Sequence, residues 1–554
     1  MNPVQTVALG QAQTSRRHEL DWLKVIVTLL VLVFHTARVF DNEDWNVKND
    51  PLLERQGAIL ALFERGKTTT APLATPRQIA DLTGARHFDA DQRAFLEQIA
   101  LNRDRFVRFP AEIQTGFVYR DKATAAFAAL RELAGDRPLV ALAPNPGLAR
   151  LLQTETRIPS AAFDGWMGPR RGEIVLVDYA AIPSGSALEQ FLMRVERAGG
   201  RALLVGQPQA PAADVLVAFL NQWFMPLFFV LSGVGTWFAL GFRSAGRYVA
   251  ERCNRLLVPF VFGCLVLTPP QVYCEALRDP AYRASFAQFY PSFFTFLGPD
   301  ARFSWGHLWF VLYLFIFSLV ALPIFLWLRS EPGRRWIAAL AGWCEKPGVI
   351  LLAGLPLALS EAILRIRWPV RNNLYDDWAN IAYYLLFFLY GYLLCADPRF
   401  GQAIDRHWRL ALAGAVVLMA ILFTWSFTNS APLEGYTPLL VGVMFVRGLR
   451  AWLWVVAILG FARRYLAFTN PLLRYSGEAA YPFYLLHQTA IIVIGFWVVR
   501  WSTGASEKFL IIGFGSLAGC LLIYELLIRR ISVTRYLFGL RPKPASPVTA
   551  VHSG

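Results

Sequence analysis

Charge is in short supply in this sequence: 17% of its 554 residues are Asp, Glu, Lys or Arg, where a soluble domain carries about 25%. With 55% apolar residues and a mean hydropathy of +0.39, that shortage excludes an ordinary cytosolic enzyme and a disordered chain. Cysteine is scarce as well. Cys253, Cys264, Cys274, Cys344, Cys395 and Cys520 show no CxxC spacing and most lie in apolar runs, so neither a disulfide-stapled secreted module nor a metal site is indicated. Of the few charges, 39 are acidic and 54 are Lys or Arg, for a net +15. A basic excess belongs either to nucleic-acid binding or to the cytoplasmic loops of a membrane protein. The placement of the cations decides for the loops.

Apolar stretches able to cross about 30 Å of hydrocarbon, which takes roughly 20 helical residues, fall near 22–41, 215–241, 255–274, 306–328, 347–364, 378–395, 408–427, 449–465, 479–499 and 509–528. The expectation is a mainly α, polytopic membrane helix bundle of about ten spans. The segment 436–446 is apolar but short, and Arg447 and Arg450 separate it from the next span, so it reads as interfacial or re-entrant. Arg16 and Arg17 precede the first span, and Arg243, Arg247, Arg252 and Arg255 follow the second. Arg329, Arg334, Arg335 and Lys346 follow the fourth, Arg463, Arg464 and Arg474 the eighth, and Arg529, Arg530, Arg535, Arg541 and Lys543 the last. Their alternation places both termini in the cytoplasm, and no cleavable signal is expected before Arg16.

Between the first two spans lies a soluble insert, roughly 50–214, without cysteine and nearly neutral. The chain thus divides into a cytoplasmic N-terminus and first span (1–49), the insert (50–214), a transmembrane bundle (215–535) and a cytoplasmic tail (536–554). The orientation puts the insert outside the cytoplasm. Four short apolar runs, at 106–109, 138–144, 173–180 and 201–208, alternate with helix-like segments, which argues an α/β domain with a parallel sheet. With DADQRAFLEQIALNRDRFV, LVALAPNPGLARLLQTETRIPS, EIVLVDYA and ERAGGRALLVGQPQ in this order, the insert resembles the first motor domain of superfamily-1 helicases of the conjugative relaxase and RecD type. It would be a degenerate, P-loop-like copy. A phosphate loop needs clustered glycines followed by Lys and Ser or Thr, whereas here Gly116 stands alone and Lys122 precedes Ala123. The carboxylate pair of the next strand is reduced to Asp178 before Tyr179, and Gln207 replaces an acid. The sequence therefore argues against ATP use and against nucleic acid as a partner; Asp178 and Lys122 read equally as solvated surface charge.

The first span, HELDWLKVIVTLLVLVFHTARVF, carries the sharpest chemical signal. Lys24 and His35 are eleven residues apart, which brings them to one helix face about 16 Å apart, with Asp21 and Thr28 near the same stripe. Ionisable groups within a span are expensive and mark functional sites. Lys24 also fits a snorkelling side chain at the cytoplasmic edge, and His35 a histidine satisfied near the outer one.

The same residues carry a family resemblance. Basic residue, ten residues, then His in the first span resembles the hallmark of the acyltransferase-3 family of integral membrane acyltransferases, with Lys24 standing where that family has Arg. NQWFMPLFFVLSG, RCNRLLVPF, TPPQVY, GHLWFVLYL, YSGEAAYPFYLLHQ and YELLIRRISVTRYLFGLRP agree in order along the rest of the membrane region, and the glucan succinyltransferase type is the nearest subgroup. The resemblance implies an O-acyltransferase of the bacterial inner membrane that moves an acetyl or succinyl group from acyl-CoA, a donor substrate, to a carbohydrate or cell-envelope hydroxyl. His35 would be the catalytic base, with a pKa range suited to deprotonating a hydroxyl. Lys24, Arg252 and Arg255 would bind the polyanionic donor, although a positive-inside loop contains arginines in any case. His307 and His487 would stabilise the thioester oxygen or position the acceptor, or else be histidines bonded to neighbouring helices. Glu478, nine residues before His487, falls on the opposite helix face and is not expected to pair with it. Ser232 and Gly233 read as close helix packing, not as a nucleophile. No metal is called for, and membrane lipid is the surrounding partner. A transporter with the same charged stripe is the alternative of a different class, and a membrane-tethered nucleotide- or nucleic-acid-binding protein, through the insert, the third.

Overall fold

In hydrocarbon the backbone must satisfy its own hydrogen bonds, so long apolar runs become helices. The computed structural model describes residues 17–40, 47, 106–107, 139–143, 174–178, 201–204, 211–277, 282–296, 302–428, 436–501, 503 and 505–541. Among these, eight helices are long and apolar enough to cross a membrane, or up to ten spans if each of two bent helix pairs counts as one. The chain is mostly helical and polytopic. Helix α1 (His18–Arg38) is followed by four short strands and then by α2 (Pro211–Leu220) and α3 (Phe224–Gly241). Next come α4 (Ala245–Ala276), interrupted by π turns at Cys253–Leu257 and Gly263–Leu267, and the short α5 (Phe286–Phe293). Helix α6 (Gly306–Val320) bends by 47° into α7 (Leu322–Arg329), and α8 (Glu331–Cys344) by 117° into α9 (Val349–Leu364). The remainder is α10 (Trp378–Ala396), α11 (Pro398–Thr428), α12 (Pro438–Tyr465), α13 (Pro471–Val498), α14 (Ser506–Ile528) and α15 (Ser532–Leu537).

Local chemistry explains several starts. Thr437 accepts a hydrogen bond from the Leu440 N–H, Asn470 from that of Leu473, and Pro438 and Pro471 follow as first helical residues, where a missing N–H costs nothing. The apolar segment 436–446 is accordingly not a separate interfacial piece. It is the first part of α12, which continues through Arg447 and Arg450 because Arg447 pairs with Glu361 at 3.4 Å and Arg450 is buried in the bundle. The stretch around Arg334 and Arg335, which the sequence suggests is a basic loop, is the amphipathic helix α8: Ile337, Ala341 and Cys344 face inward and Trp336 and Trp343 outward.

The strands β1 (Phe106–Val107), β2 (Leu139–Ala143), β3 (Ile174–Asp178) and β4 (Arg201–Leu204) form one parallel sheet in the order β1-β4-β2-β3. Leu139 sits opposite both Ile174 and Arg201. These are the four apolar runs of the insert; the expected crossover helices, with Gly116, Lys122 and Gln207, lie outside the described residues.

Two relationships position the site. Helix α1 packs against α2, α3, α12, α13 and α14, which makes it central. Helices α3 and α10 touch backbone to backbone: a Cβ at Gly233 would fall on the Phe388 carbonyl, and one at Gly391 on that of Val230. Ser232, next to it, donates to the Phe228 carbonyl at 2.8 Å, so packing is what this pair does. Side-chain contacts join the helix ends. At one end Arg17 reaches Cys395, the Trp22 indole donates to the Phe468 carbonyl, Arg463 pairs with Asp405 and Arg255 donates to the Gly539 carbonyl. At the other, Trp305 donates to the Asn372 carbonyl and Tyr436 to that of Ile363.

Candidate active site

Three helices bring three histidines together. His35 lies near the end of α1, His307 in the 3-10 turn that opens α6, and His487 midway along α13. The His487 ring stands with its centroid 5.1 Å from that of His35 and 5.1 Å from that of His307. His307 and His487 are buried and His35 is partly buried. Gly306 aims His307 inward, since the chain there turns through a φ of 49° that disfavours any residue with a Cβ.

The hydrogen bonds of two rings fix their protons. His307 Nε2 lies 3.0 Å from the Leu485 carbonyl oxygen, and His487 Nδ1 lies 2.6 Å from that of Tyr484. A carbonyl accepts and cannot donate, so each neutral ring places its single proton on that nitrogen. The opposite nitrogens, His307 Nδ1 and His487 Nε2, are buried with no hydrogen-bond partner. Each is therefore a bare acceptor. Tyr484 ties the two elements together by donating its hydroxyl to the His307 carbonyl at 2.6 Å. Beside them Gln488 donates to Gln271 Oε1 at 3.1 Å, and Gln271 donates to the Thr489 hydroxyl at 2.8 Å. These glutamines and Tyr484 were not singled out in the sequence; Tyr484 and Gln488 lie within one turn of His487, and Gln271 lies in the TPPQVY run.

At the basic end the π turn of α4 presents Arg255. Its Nε donates to the Gly539 carbonyl at 3.2 Å and its Nη1 approaches Glu251 at 3.4 Å, while Arg252 lies over the Tyr248 ring with its carbon 4.7 Å from the centroid. Glu251 also pairs with Arg243 at 2.8 Å. One carboxylate thus faces a group of arginines, and positive charge remains in excess. The structure joins Lys24 to neither: it is exposed and meets Asp21 at 3.5 Å, whereas His35 turns toward His487. Glu478 binds Arg535 at 3.1 Å and not His487. Among the described residues no group of three or more His, Cys, Asp or Glu side chains is placed to hold a metal ion.

A family model described as an acyltransferase domain matches residues 186–525, a range that contains His307, His487 and both arginines but not His35 or Lys24. The chain is similar to glucans biosynthesis protein C of Salmonella schwarzengrund (strain CVM19633), at 23% identity over 337 residues, covering 58% of this chain and 83% of the relative. The same protein of Salmonella heidelberg (strain SL476) and of Salmonella agona (strain SL483) is similar to the same extent. No solved structure matches. The helicase-like reading of the insert finds no support: the matched range begins near its end, and the relatives named here are glucan-biosynthesis proteins.

Proposed function

Since the chain belongs to the acyltransferase-3 family, we propose that this membrane acyltransferase moves an acetyl or succinyl group from acyl-CoA to a hydroxyl of a carbohydrate or other cell-envelope acceptor. The observation that carries the reading is the meeting of His35, His307 and His487 inside the bundle. His35 takes the hydroxyl proton; the oxygen attacks the thioester carbonyl carbon; the carbon–sulfur bond breaks; and the proton passes to the departing CoA thiolate. His307 and His487, as neutral rings with one bare nitrogen each, accept hydrogen bonds from the acceptor's hydroxyls and orient it. They have no proton left to give an oxyanion, so positioning the acceptor suits them better than stabilising the thioester oxygen.

Arg252 and Arg255 hold the donor's phosphates at the basic end. That end faces the cytoplasm of a bacterial inner membrane by the positive-inside rule, and the insert then stands outside as an accessory domain that recognises the acceptor or a partner. The names of the Salmonella relatives, which refer to glucan biosynthesis, support a glycan acceptor.

Membranes supplied with labelled acyl-CoA test the reading. His35→Ala is expected to abolish transfer while expression is unchanged, and transfer at the normal rate removes His35 from the mechanism. A cysteine introduced near residue 120 locates the insert: labelling by an impermeant reagent in intact spheroplasts is expected, and protection overturns its outward placement.

A further inference from the structure

A second polar cluster lies apart from the histidines, where α9, α10 and α12 meet. Glu361, fully buried, accepts from Arg365 Nη2 at 2.7 Å and pairs with Arg447 at 3.4 Å. Arg365 also donates to Asn380 at 2.6 Å. The other nearby carboxylate, Asp377, is occupied by neutral donors: the Tyr313 hydroxyl at 2.6 Å, the Asn380 amide at 2.9 Å and the Asn372 N–H at 2.9 Å. Arg450, one turn beyond Arg447, is 8% exposed, and its Nε has no hydrogen-bond partner. It makes no ion pair with any described residue; Arg447 and Tyr383 are its electrostatic neighbours. Arg365 Nη1 is likewise buried and unpartnered.

Two guanidiniums, Arg365 and Arg447, therefore share the one carboxylate they contact, and a third, Arg450, has none, inside a bundle where an isolated cation is costly. Guanidinium is built to bind planar or tetrahedral oxyanions through paired N–H groups, and the donors left over are of that kind. Arg447, 40% exposed at its side chain, leaves the cluster open on one side. We infer that Arg450, Arg447 and Arg365 form an anion site that takes a carboxylate or phosphate group. The inference stands independently of the acyl-transfer chemistry, since it uses none of the histidines or the arginines of α4.

The group can come from a soluble ligand or from a lipid headgroup, and two arms separate these sources. In detergent, the full-length protein is titrated with inorganic phosphate and with succinate at constant ionic strength; in nanodiscs, phosphatidylcholine alone is compared with phosphatidylcholine plus phosphatidylglycerol. A saturable rise in melting temperature is expected in at least one arm and is lost in Arg450→Met. Response in detergent assigns a soluble anion, and response to phosphatidylglycerol alone assigns a headgroup. Without anion, Arg450→Met is expected to melt no lower than the wild type, because an unpartnered buried charge has been removed. No saturable response of the wild type in either arm overturns the site, as does a response that Arg450→Met retains. Should that variant not fold, Arg447→Gln takes its place under the same criterion.

Discussion

His307 and His487 stand edge to face with ring centroids 5.1 Å apart, and each gives its proton to a main-chain carbonyl of the same turn of α13, at Leu485 and Tyr484. Two adjacent carbonyls thus set two tautomers, and each ring keeps one buried nitrogen without a hydrogen-bond partner. Removing one ring is informative because the backbone that fixes the other stays in place. His487→Ala is expected to lower the rate of acyl transfer by about 10²-fold through loss of acceptor positioning, read as label incorporated per unit of protein in membranes, with the acyl-CoA KM unchanged. A matched rise in that KM instead would place His487 in donor binding.

In the proposed function, donor recognition falls to Arg252 and Arg255 at the basic end. Arg255→Gln removes charge-assisted hydrogen bonds and is expected to raise the acyl-CoA KM about 10- to 100-fold with little change in kcat. Arg529→Gln, whose arginine is engaged by Glu525 at 3.0 Å, is the control for a general loss of positive charge and is expected to leave KM within about twofold.

Gly306 tests the turn before His307. An alanine Cβ there would sit 3.2 Å from Gln271 Oε1 on a backbone with φ of +49°, which costs about 1–2 kcal/mol. Gly306→Ala is expected to lower the thermal stability of the purified protein and its transfer rate together.

The buried ion pair gives the largest stability effect. Glu361→Gln strands Arg365 and Arg447 and is expected to cost about 3–5 kcal/mol in SDS-induced unfolding. Replacing the pair together, Glu361→Leu with Arg365→Met, is expected to recover part of that loss, because no charge is left unpaired.

One carboxylate outside the spans couples stability to acid. Burial pushes Asp397 upward, but hydrogen bonds from the Arg399 side chain and N–H outweigh it and hold the group below its ordinary 3.8. A depressed folded value means that the stabilisation is complete above the ordinary value and is lost as pH falls through the folded one. Asp397→Asn is expected to flatten the acid limb of the unfolding profile below about pH 4 and to leave its slope near neutrality unchanged, as followed by thermal unfolding across pH.

The spans were legible because hydrocarbon leaves the backbone no other choice, and the histidines because ionisable residues stand out within apolar runs. That His35, His307 and His487 meet was not legible: it follows from how α1, α6 and α13 pack. Arg447 read as the end of a span because its partner Glu361 sits on another helix, and a charge looks like a boundary until its counter-charge is known. Arg334 and Arg335 hid α8 in the same way, although Ile337, Ala341 and Cys344 at helical spacing were the signal for it. The four strands of the insert came through as apolar runs, while the helicase likeness rested on the order of short motifs from which the phosphate-binding residues were missing.

Helix α1 carries His35 but is joined to the rest of the bundle through the long connection from 41 to 210. Closing a loop of that length, compared with one of about twenty residues, costs roughly 2 kcal/mol, and lengthening it further changes little. What holds α1 in place is its contact with five neighbouring helices, so it behaves as a subunit supplied in cis. The enzyme is in that sense already a split protein: residues 1–50 expressed separately from the remainder should find the same groove, and acyl transfer should return only when the two pieces meet.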